Sequence, residues 1–202
     1  MHAVPAQDAA ELASDKATRI VEAMRTSVAA RGIAGSTFDQ VAREAGVSRG
    51  LLHYYFGSKE RLLLEVVRRE CEVREARLED SIAGAGNAEE VLEALVRSLE
   101  EILGEGLTGP VLFFEILTQA QRQHEIAVEL AELGRRLREA FAAALAAKAR
   151  DGVLALQAEP DVVASFLLAL ADGIIVRRLS EPSLDIAPLM GQGVAAARAL
   201  LG

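Results

Sequence analysis

The chain has 202 residues, a length that suits one large domain or two smaller ones. Hydrophobic residues make up 51% of it and aromatic residues only 4%, which excludes wholesale disorder and favours helices over a barrel of short strands. The net charge is −8, yet the first seventy residues carry 10 basic and 9 acidic side chains. The acidic total therefore does not exclude a polyanionic partner for the first part of the chain.

The sequence shows neither a recognisable signal peptide nor a membrane-spanning segment. The first residues do not show a basic stretch followed by an apolar core. The longest apolar run, Ser165 to Val176, is interrupted by Asp172 and is shorter than the roughly 20 residues that span a bilayer. The single cysteine, Cys71, cannot form a disulfide within the chain. We therefore expect a soluble cytoplasmic protein that has no membrane partner.

The first predicted element is a long amphipathic helix. Residues 1–13 are expected to form a disordered or frayed tail, after which Ser14 is a plausible N-cap and Gly32 a plausible stop. Between them Ile20 and Met24 repeat on one face, with other apolar residues at helical spacing.

Three short-range signals then follow one another closely. Thr37 and Gln40 form a capping box, which predicts a helix from about Phe38 that ends at Gly46 after two turns. Ser48 is a good N-cap for a second short helix, which runs to Phe56. Ser58 caps a third helix that extends to about Ser81. Two short helices joined by a tight turn at a glycine satisfy the requirements of a helix-turn-helix.

The composition of this stretch distinguishes it from an ordinary helical hairpin, which is the alternative interpretation. Both tyrosines of the chain, Tyr54 and Tyr55, lie beside His53, and together they are more polar aromatic groups than a core accommodates. Lys59 lies in the first turn of the third helix, where the helix dipole disfavours a cation. A lysine there is useful if the helix start holds an anion such as a DNA phosphate.

The stretch TFDQVAREAGVSRGLLHYYFGSKERLL resembles the DNA-binding region of the TetR family of bacterial transcriptional repressors, of the TetR/AcrR-like kind. The resemblance implies phosphate contacts from Thr37, Tyr55 and Lys59. It also implies an approach to the major groove from the residues that the second short helix presents, namely Ser48, Arg49, Gly50, His53 and Tyr54. Two departures, Leu51 and the order His53–Tyr54, mean that no base preference follows from the resemblance.

Two of these roles have alternatives. Arg49 either reads guanine in the major groove or contacts a phosphate, since most hydrogen bonds to DNA position the protein rather than specify a base. Tyr55 either contacts phosphate or packs its ring under the first helix.

The rest of the chain predicts helices throughout, at about residues 88–103, 111–119, 121–150, 161–179 and 186–201. We expect an all-α fold of about nine helices. A helix-turn-helix domain would cover residues 14–57, and a ligand-binding and dimerisation domain would cover residues 58–202, with residues 58–81 as the linking helix.

The resemblance implies that the last two helices pair across a two-fold axis, while the alternative is that they form core within one chain. The expected dimer contacts are Val163, Phe166, Leu167, Leu189, Val194, Ala197 and Leu201. A ligand pocket is expected against the short apolar helix, although such a stripe is more often core. Its expected lining is Phe113, Phe114, Ile116, Leu117, Gln121, Leu170 and Ile174.

An enzyme is not expected, because the three histidines are scattered and no nucleophile, phosphate-loop or dinucleotide motif is present. No cofactor or metal is expected either. The sequence predicts a homodimeric repressor that binds a palindromic operator in double-stranded DNA and is released by a small apolar or amphipathic effector. The alternative is a helical small-molecule-binding, lipid-binding or adaptor protein that does not bind DNA.

Overall fold

The computed structural model describes residues 6–104 and 107–202, with side chains from residue 15 onward. Nine α-helices and no strand lie in these ranges, in agreement with the predicted all-α fold. The helices are α1 (Ala6–Gly35), α2 (Phe38–Ala45), α3 (Arg49–Phe56), α4 (Lys59–Gly84), α5 (Ala88–Gly104), α6 (Thr108–Ala120), α7 (His124–Arg150), α8 (Pro160–Ser180) and α9 (Ala187–Leu201).

The chain divides into two compact units. Among the described residues, the first unit contains residues 6–69 and 111–130, and the second contains residues 70–104, 107–110 and 131–202. Helices α4, α6 and α7 therefore contribute residues to both units. This division differs from a single boundary at residue 57, because parts of α6 and α7 belong to the unit that holds the helix-turn-helix.

The first unit is built on the apolar face of α1. Ile20 and Met24 are completely buried, as are Val41 of α2 and Leu52 of α3. Burial of each such side chain stabilises the fold by about 1.5–3 kcal/mol. All four helices α1 to α4 contribute buried side chains to this unit, since three consecutive leucines of α4 are also buried: Leu62, Leu63 and Leu64.

The second unit has its own apolar core, which joins the ends of α4 and α7 to α5, α8 and α9. Val91, Leu145 and Val163 are completely buried there. Lys148 closes one end of this unit by donating hydrogen bonds to the carbonyl oxygens of Ala83 and Ala85, both at 2.7 Å. These are carbonyls at the C-terminal end of α4, which the helix itself leaves without donors.

Three predicted helix starts are wrong. The backbone of α1 is helical from Ala6 rather than from a cap at Ser14, and the run from Ala6 contains no glycine or proline before Gly32. Residues 1–5 of the predicted tail lie outside the described residues. Helix α6 starts at Thr108 rather than Val111, because Pro110 lies in the first turn, where its missing N–H costs no hydrogen bond.

Helix α7 starts at His124 rather than Gln121. The N–H groups of Arg122 and Gln123 both donate to the carbonyl oxygen of Gln119, at 2.9 and 3.0 Å, and so close a turn after α6. Gln121 lies in that turn and is exposed. The predicted stop at Gly32 is confirmed as a break in α1, because this residue has φ 72° and ψ 172°.

Candidate nucleic-acid interface

The turn between α2 and α3 contains the predicted glycine and the predicted N-cap, and short-range hydrogen bonds fix it. Gly46 has φ 65° and ψ 39°, the left-handed conformation that glycine adopts at little cost. The Val47 N–H donates to the Ala42 carbonyl oxygen at 2.9 Å, which closes the end of α2. Ser48 then starts α3 by accepting a hydrogen bond from the Leu51 N–H at 3.3 Å. The helix-turn-helix is therefore present as expected.

Helix α3 presents a polar surface on the side opposite its buried anchor. Leu52 is fully buried against the first unit, whereas Ser48, Arg49, Gly50, His53 and Tyr54 are all exposed. Tyr54 is 81% exposed, the largest value among the exposed large hydrophobic side chains of the described residues. A solvent-exposed tyrosine beside an arginine and a histidine has no role in the core, so this surface is available to a partner.

Arg49 is oriented by a carboxylate of the preceding helix. Its Nη1 lies 3.2 and 3.3 Å from the two carboxylate oxygens of Asp39. Both side chains are more than half exposed, at 59% and 63%, so the pair is weak in water and the guanidinium can exchange it for another acceptor. Spacing along the sequence did not reveal this contact, because it joins residues ten positions apart across the turn.

His53 is held more firmly. Its ring lies edge-on to Phe38 with a centroid separation of 4.8 Å, and its Nδ1 lies 3.1 Å from the carbonyl oxygen of Gly57. A carbonyl oxygen only accepts, so Nδ1 carries the proton and donates. In the neutral ring Nε2 is then an acceptor, which suits the amino groups of cytosine or adenine in the major groove.

The expected phosphate contacts flank this surface. Thr37 is exposed and its Oγ1 accepts a hydrogen bond from the Gln40 N–H at 3.4 Å, so its hydroxyl hydrogen remains a donor. Tyr55 is half-buried, and its ring contacts Tyr54 with a centroid separation of 5.4 Å. Lys59 is also half-buried and donates from Nζ to the Ile33 carbonyl oxygen, which ties the start of α4 to the end of α1. Its remaining two N–H groups leave it capable of holding an anion.

A buried polar network supports the interface and was missed in the sequence. Ser27 and Ser36 are fully buried, and the Ser27 hydroxyl donates to the Ser36 hydroxyl at 2.9 Å. Ser36 in turn donates to the Gly32 carbonyl oxygen at 2.9 Å, which stabilises the break in α1. Arg31 donates to Ser27 at 3.1 Å and also pairs with Glu44 of α2. The available signal was Ser27, a polar residue that lies on the apolar face of α1.

The second unit contains a cavity of about 140 Å³ among α5, α8 and α9. Two of the predicted ligand contacts, Leu170 and Ile174, line it. The other five are not among its lining residues. Ile116 is fully buried, Phe113 and Phe114 are half-buried, and Leu117 and Gln121 are exposed, all within the first unit.

The predicted dimer contacts divide into three groups by their exposure. Phe166 of α8 and Leu189 of α9 are exposed, at 50% and 36%. Val162 and Val176 are also exposed and lie on the same face of α8 as Phe166. Val194 is half-buried. The remaining four are buried in the core of their own unit within this single chain: Val163, Leu167, Ala197 and Leu201.

The remaining candidates are a metal site, a membrane-spanning helix and a reactive thiol. Within the described residues, no group of three or more histidine, cysteine or acidic side chains is arranged to hold a metal ion. None of the described helices is long and apolar enough to cross a membrane. Burial raises the pKa of the Cys71 thiol to about 11, with further increases from the carboxylates of nearby glutamates, against a smaller lowering by Arg74. A thiol with this pKa is a poor nucleophile at neutral pH.

Comparison with known proteins identifies the family. The family model described as "Bacterial regulatory proteins, tetR family" matches residues 20–66, and "BetI-type transcriptional repressor, C-terminal" matches residues 88–201. The HTH-type transcriptional regulator BetI of Agrobacterium fabrum is 33% identical over 188 residues, which cover 90% of this chain and 82% of that protein.

Solved structures share the fold. A TetR-family regulator from Mesorhizobium loti superimposes with a TM-score of 0.75 at 20% identity, covering 94% of this chain and 96% of that one. A regulator from Saccharomonospora viridis in complex with choline gives 0.67 at 24% identity, covering 93% and 94%. The chain therefore belongs to the TetR family of bacterial regulatory proteins, and it is a helix-turn-helix transcriptional regulator.

Proposed function

We propose that this regulator is a repressor that binds a palindromic operator as a homodimer and is released by a small apolar or amphipathic effector. The observation that carries the DNA-binding part is the outward face of α3, on which Arg49, Gly50, His53 and Tyr54 are all exposed. In this arrangement the N-terminal end of α3 approaches base edges in the major groove. Thr37, Tyr55 and Lys59 contact the flanking phosphates.

Dimerisation is supported by the exposed apolar face of α8. Val162, Phe166 and Val176 are 57%, 50% and 42% exposed, and they follow one another at helical spacing. Leu189 of α9 adds a fourth exposed apolar side chain. A protein with two-fold symmetry places its two α3 helices in successive major grooves, about 34–36 Å apart. Because chromosomal DNA is the target, the protein acts in the cytoplasm.

The effector class is supported by the apolar cavity of the second unit. The choline bound by the Saccharomonospora viridis regulator does not identify the effector of this chain, because at 24% identity the similarity is one of fold alone. Ligand binding would favour a conformer in which the separation of the two α3 helices no longer fits the operator. A coupling of about 1–3 kcal/mol is typical of such regulators.

The alternative of an adaptor that does not bind DNA is not favoured, because the family match includes residues 20–66 and thus the whole helix-turn-helix. A footprint on the DNA that flanks the gene tests the proposal. We expect protection of two symmetric half-sites one helical turn apart. A single unpaired footprint would contradict the dimer, and the absence of any sequence-specific protection would contradict the DNA-binding role.

The dimer is tested separately with Phe166→Glu, which places a charge on the proposed contact face. We expect the variant to sediment as a monomer and to lose most of its operator affinity, because half-sites are then bound independently. Val73→Glu is the matched control, since Val73 is also 50% exposed but lies on α4. A Phe166→Glu variant that remains dimeric would rule out this face of α8.

A further inference from the structure

The cavity of the second unit differs in chemistry from a site for a charged ligand. Its walls come mainly from α5, α8 and α9, while Leu78 of α4 and Phe141 of α7 complete them. Among the described residues that line it, Ser98 is the one with a hydroxyl group, and none carries a charge or an amide. The remaining lining side chains are leucine, isoleucine, valine, methionine, alanine and one phenylalanine, together with Gly193.

We propose that this cavity binds a compact uncharged molecule of about the size of a substituted benzene, with at most one hydrogen-bonding group. The proposal that the cavity binds such a molecule is based on the cavity alone. The proposal that this molecule is the effector that releases DNA rests on the function proposed above.

The volume sets the size of the ligand. An engineered protein cavity of about 150 Å³ lined by leucine, isoleucine and phenylalanine stays free of water and binds benzene. The present cavity, at about 140 Å³, has nearly the same volume and similar walls, but it is open to solvent on one side, so the volume limits the part of a ligand that lies inside it. Pockets for larger organic ligands usually measure about 300–1,000 Å³. A single ring with a small substituent is therefore the class that fills this space.

The lining excludes a cation. Proteins that bind quaternary ammonium groups surround them with several aromatic faces. Here Phe141 is the only aromatic side chain among the described lining residues, and the chain contains no tryptophan. Asp172 lies on α8 but is not among the lining residues, so its carboxylate does not compensate a charge within the cavity. Burial of an unpaired charge is strongly unfavourable, so choline should not occupy this site.

Ser98 defines the single polar position. A serine hydroxyl both donates and accepts, so it serves either a phenol or a small carbonyl compound. Toluene needs no such partner. The two probes therefore separate the apolar part of the site, which both require, from the hydroxyl, which only phenol uses.

Gly193 provides the variant that tests the location. A Cβ built there lies 3.6 Å from Cδ1 of Ile174 and 3.6 Å from Cδ2 of Leu170, which is ordinary van der Waals contact. Alanine is thus accommodated and removes space from the cavity, and leucine removes most of it. Gly191 of the same helix is the matched control, because a Cβ there has nothing within 4 Å. Both alanine variants remove the same backbone cost of glycine in a helix.

The experiment is calorimetric titration and thermal unfolding of the full-length protein with toluene, phenol or choline chloride. We expect toluene and phenol at ten times their Kd to raise Tm by about 3–6 °C, and choline to leave Tm unchanged. Gly193→Ala should weaken toluene binding and Gly193→Leu should abolish it, while the same substitutions at Gly191 leave the Tm shift intact. Ser98→Ala should weaken phenol binding and leave toluene binding unaltered.

Some results would overturn the inference. Choline binding as tight as that of toluene would do so, and so would equal toluene binding by the Gly193 and Gly191 variants. If toluene failed to bind while the protein still recognised an operator, the proposed ligand class of the cavity would be wrong. The proposed function as a DNA-binding regulator would be unaffected. If toluene bound in the cavity without releasing operator DNA, the proposed ligand class would be correct. The proposal that such a ligand is the effector would be contradicted.

Discussion

Arg49→Ala is expected to separate base reading from fold stability. The guanidinium lies on the exposed side of the helix and its ion pair with Asp39 has both partners more than half in solvent. Such pairs contribute about 0–1 kcal/mol to stability. Arg49 is also the first residue of α3, where a cation interacts unfavourably with the helix dipole. The two effects oppose each other, so the free energy of unfolding should change by less than about 1 kcal/mol.

The effect on DNA binding should be much larger. A bidentate arginine–guanine contact discriminates against the wrong base by about 1–3 kcal/mol. Two half-sites double this to about 2–6 kcal/mol for the operator, and each 1.4 kcal/mol is a factor of ten in Kd. The cost of releasing Arg49 from Asp39 is already included in the wild-type affinity. Asp39→Asn should therefore strengthen binding by up to about fivefold per half-site, because it frees Arg49 and removes a negative charge near the phosphates.

The assay is fluorescence anisotropy with the operator and a set of duplexes in which each base pair is replaced in turn. We expect Arg49→Ala to lose discrimination at one base pair per half-site and to keep it elsewhere. Arg150→Ala is the control, because it removes an exposed arginine at the end of α7 in the second unit. If the ranking of duplexes is the same for wild type and Arg49→Ala, then Arg49 contacts phosphate and base readout belongs to other residues.

Three further predictions address the interface and the thiol. Lys59→Ala should weaken binding to all sequences and lower the salt slope by about one per protomer, with a small loss of stability from the lost bond to Ile33; an unchanged slope in a salt titration would contradict the phosphate role. Gly50→Ala should raise Tm, because the nearest atom to its Cβ is 4.0 Å away and alanine is the better helix former, yet it should weaken operator binding because the new methyl group points to the groove. Operator affinity that rises with Tm would refute that placement. Cys71 should react with a thiol reagent far more slowly than free cysteine at pH 8, because burial raises its pKa to about 11. Since the folded pKa lies above the unfolded value, the thiol's contribution to stability is intact below about pH 9 and is lost as the pH rises towards 11. Fast alkylation at pH 8 without unfolding would contradict the burial.

The helix-turn-helix was predictable because its determinants are local. The caps at Thr37 and Ser48 and the left-handed turn at Gly46 depend on residues within four positions of each other. The errors also have local causes. Helix α6 starts at Thr108, three residues before the predicted start, because proline is tolerated in the first turn of a helix and Pro110 therefore does not exclude the preceding residues. The free energies of starting a helix at neighbouring residues differ little, so sequence patterns predict a helix start only to within a turn.

The sequence by itself determined that this chain forms helices with an exposed recognition helix, because helical periodicity and capping are properties of neighbouring residues. Only the tertiary structure decided which apolar side chains face inward. Val163 and Phe166 lie three positions apart on α8 and are equally apolar, yet one is fully buried and the other is half exposed. The tertiary structure also determines the pairing of Arg49 with Asp39 and the cavity beside Ser98. The reason is that burial and contact depend on which helices pack together, and a single helix carries no information about its neighbours' positions.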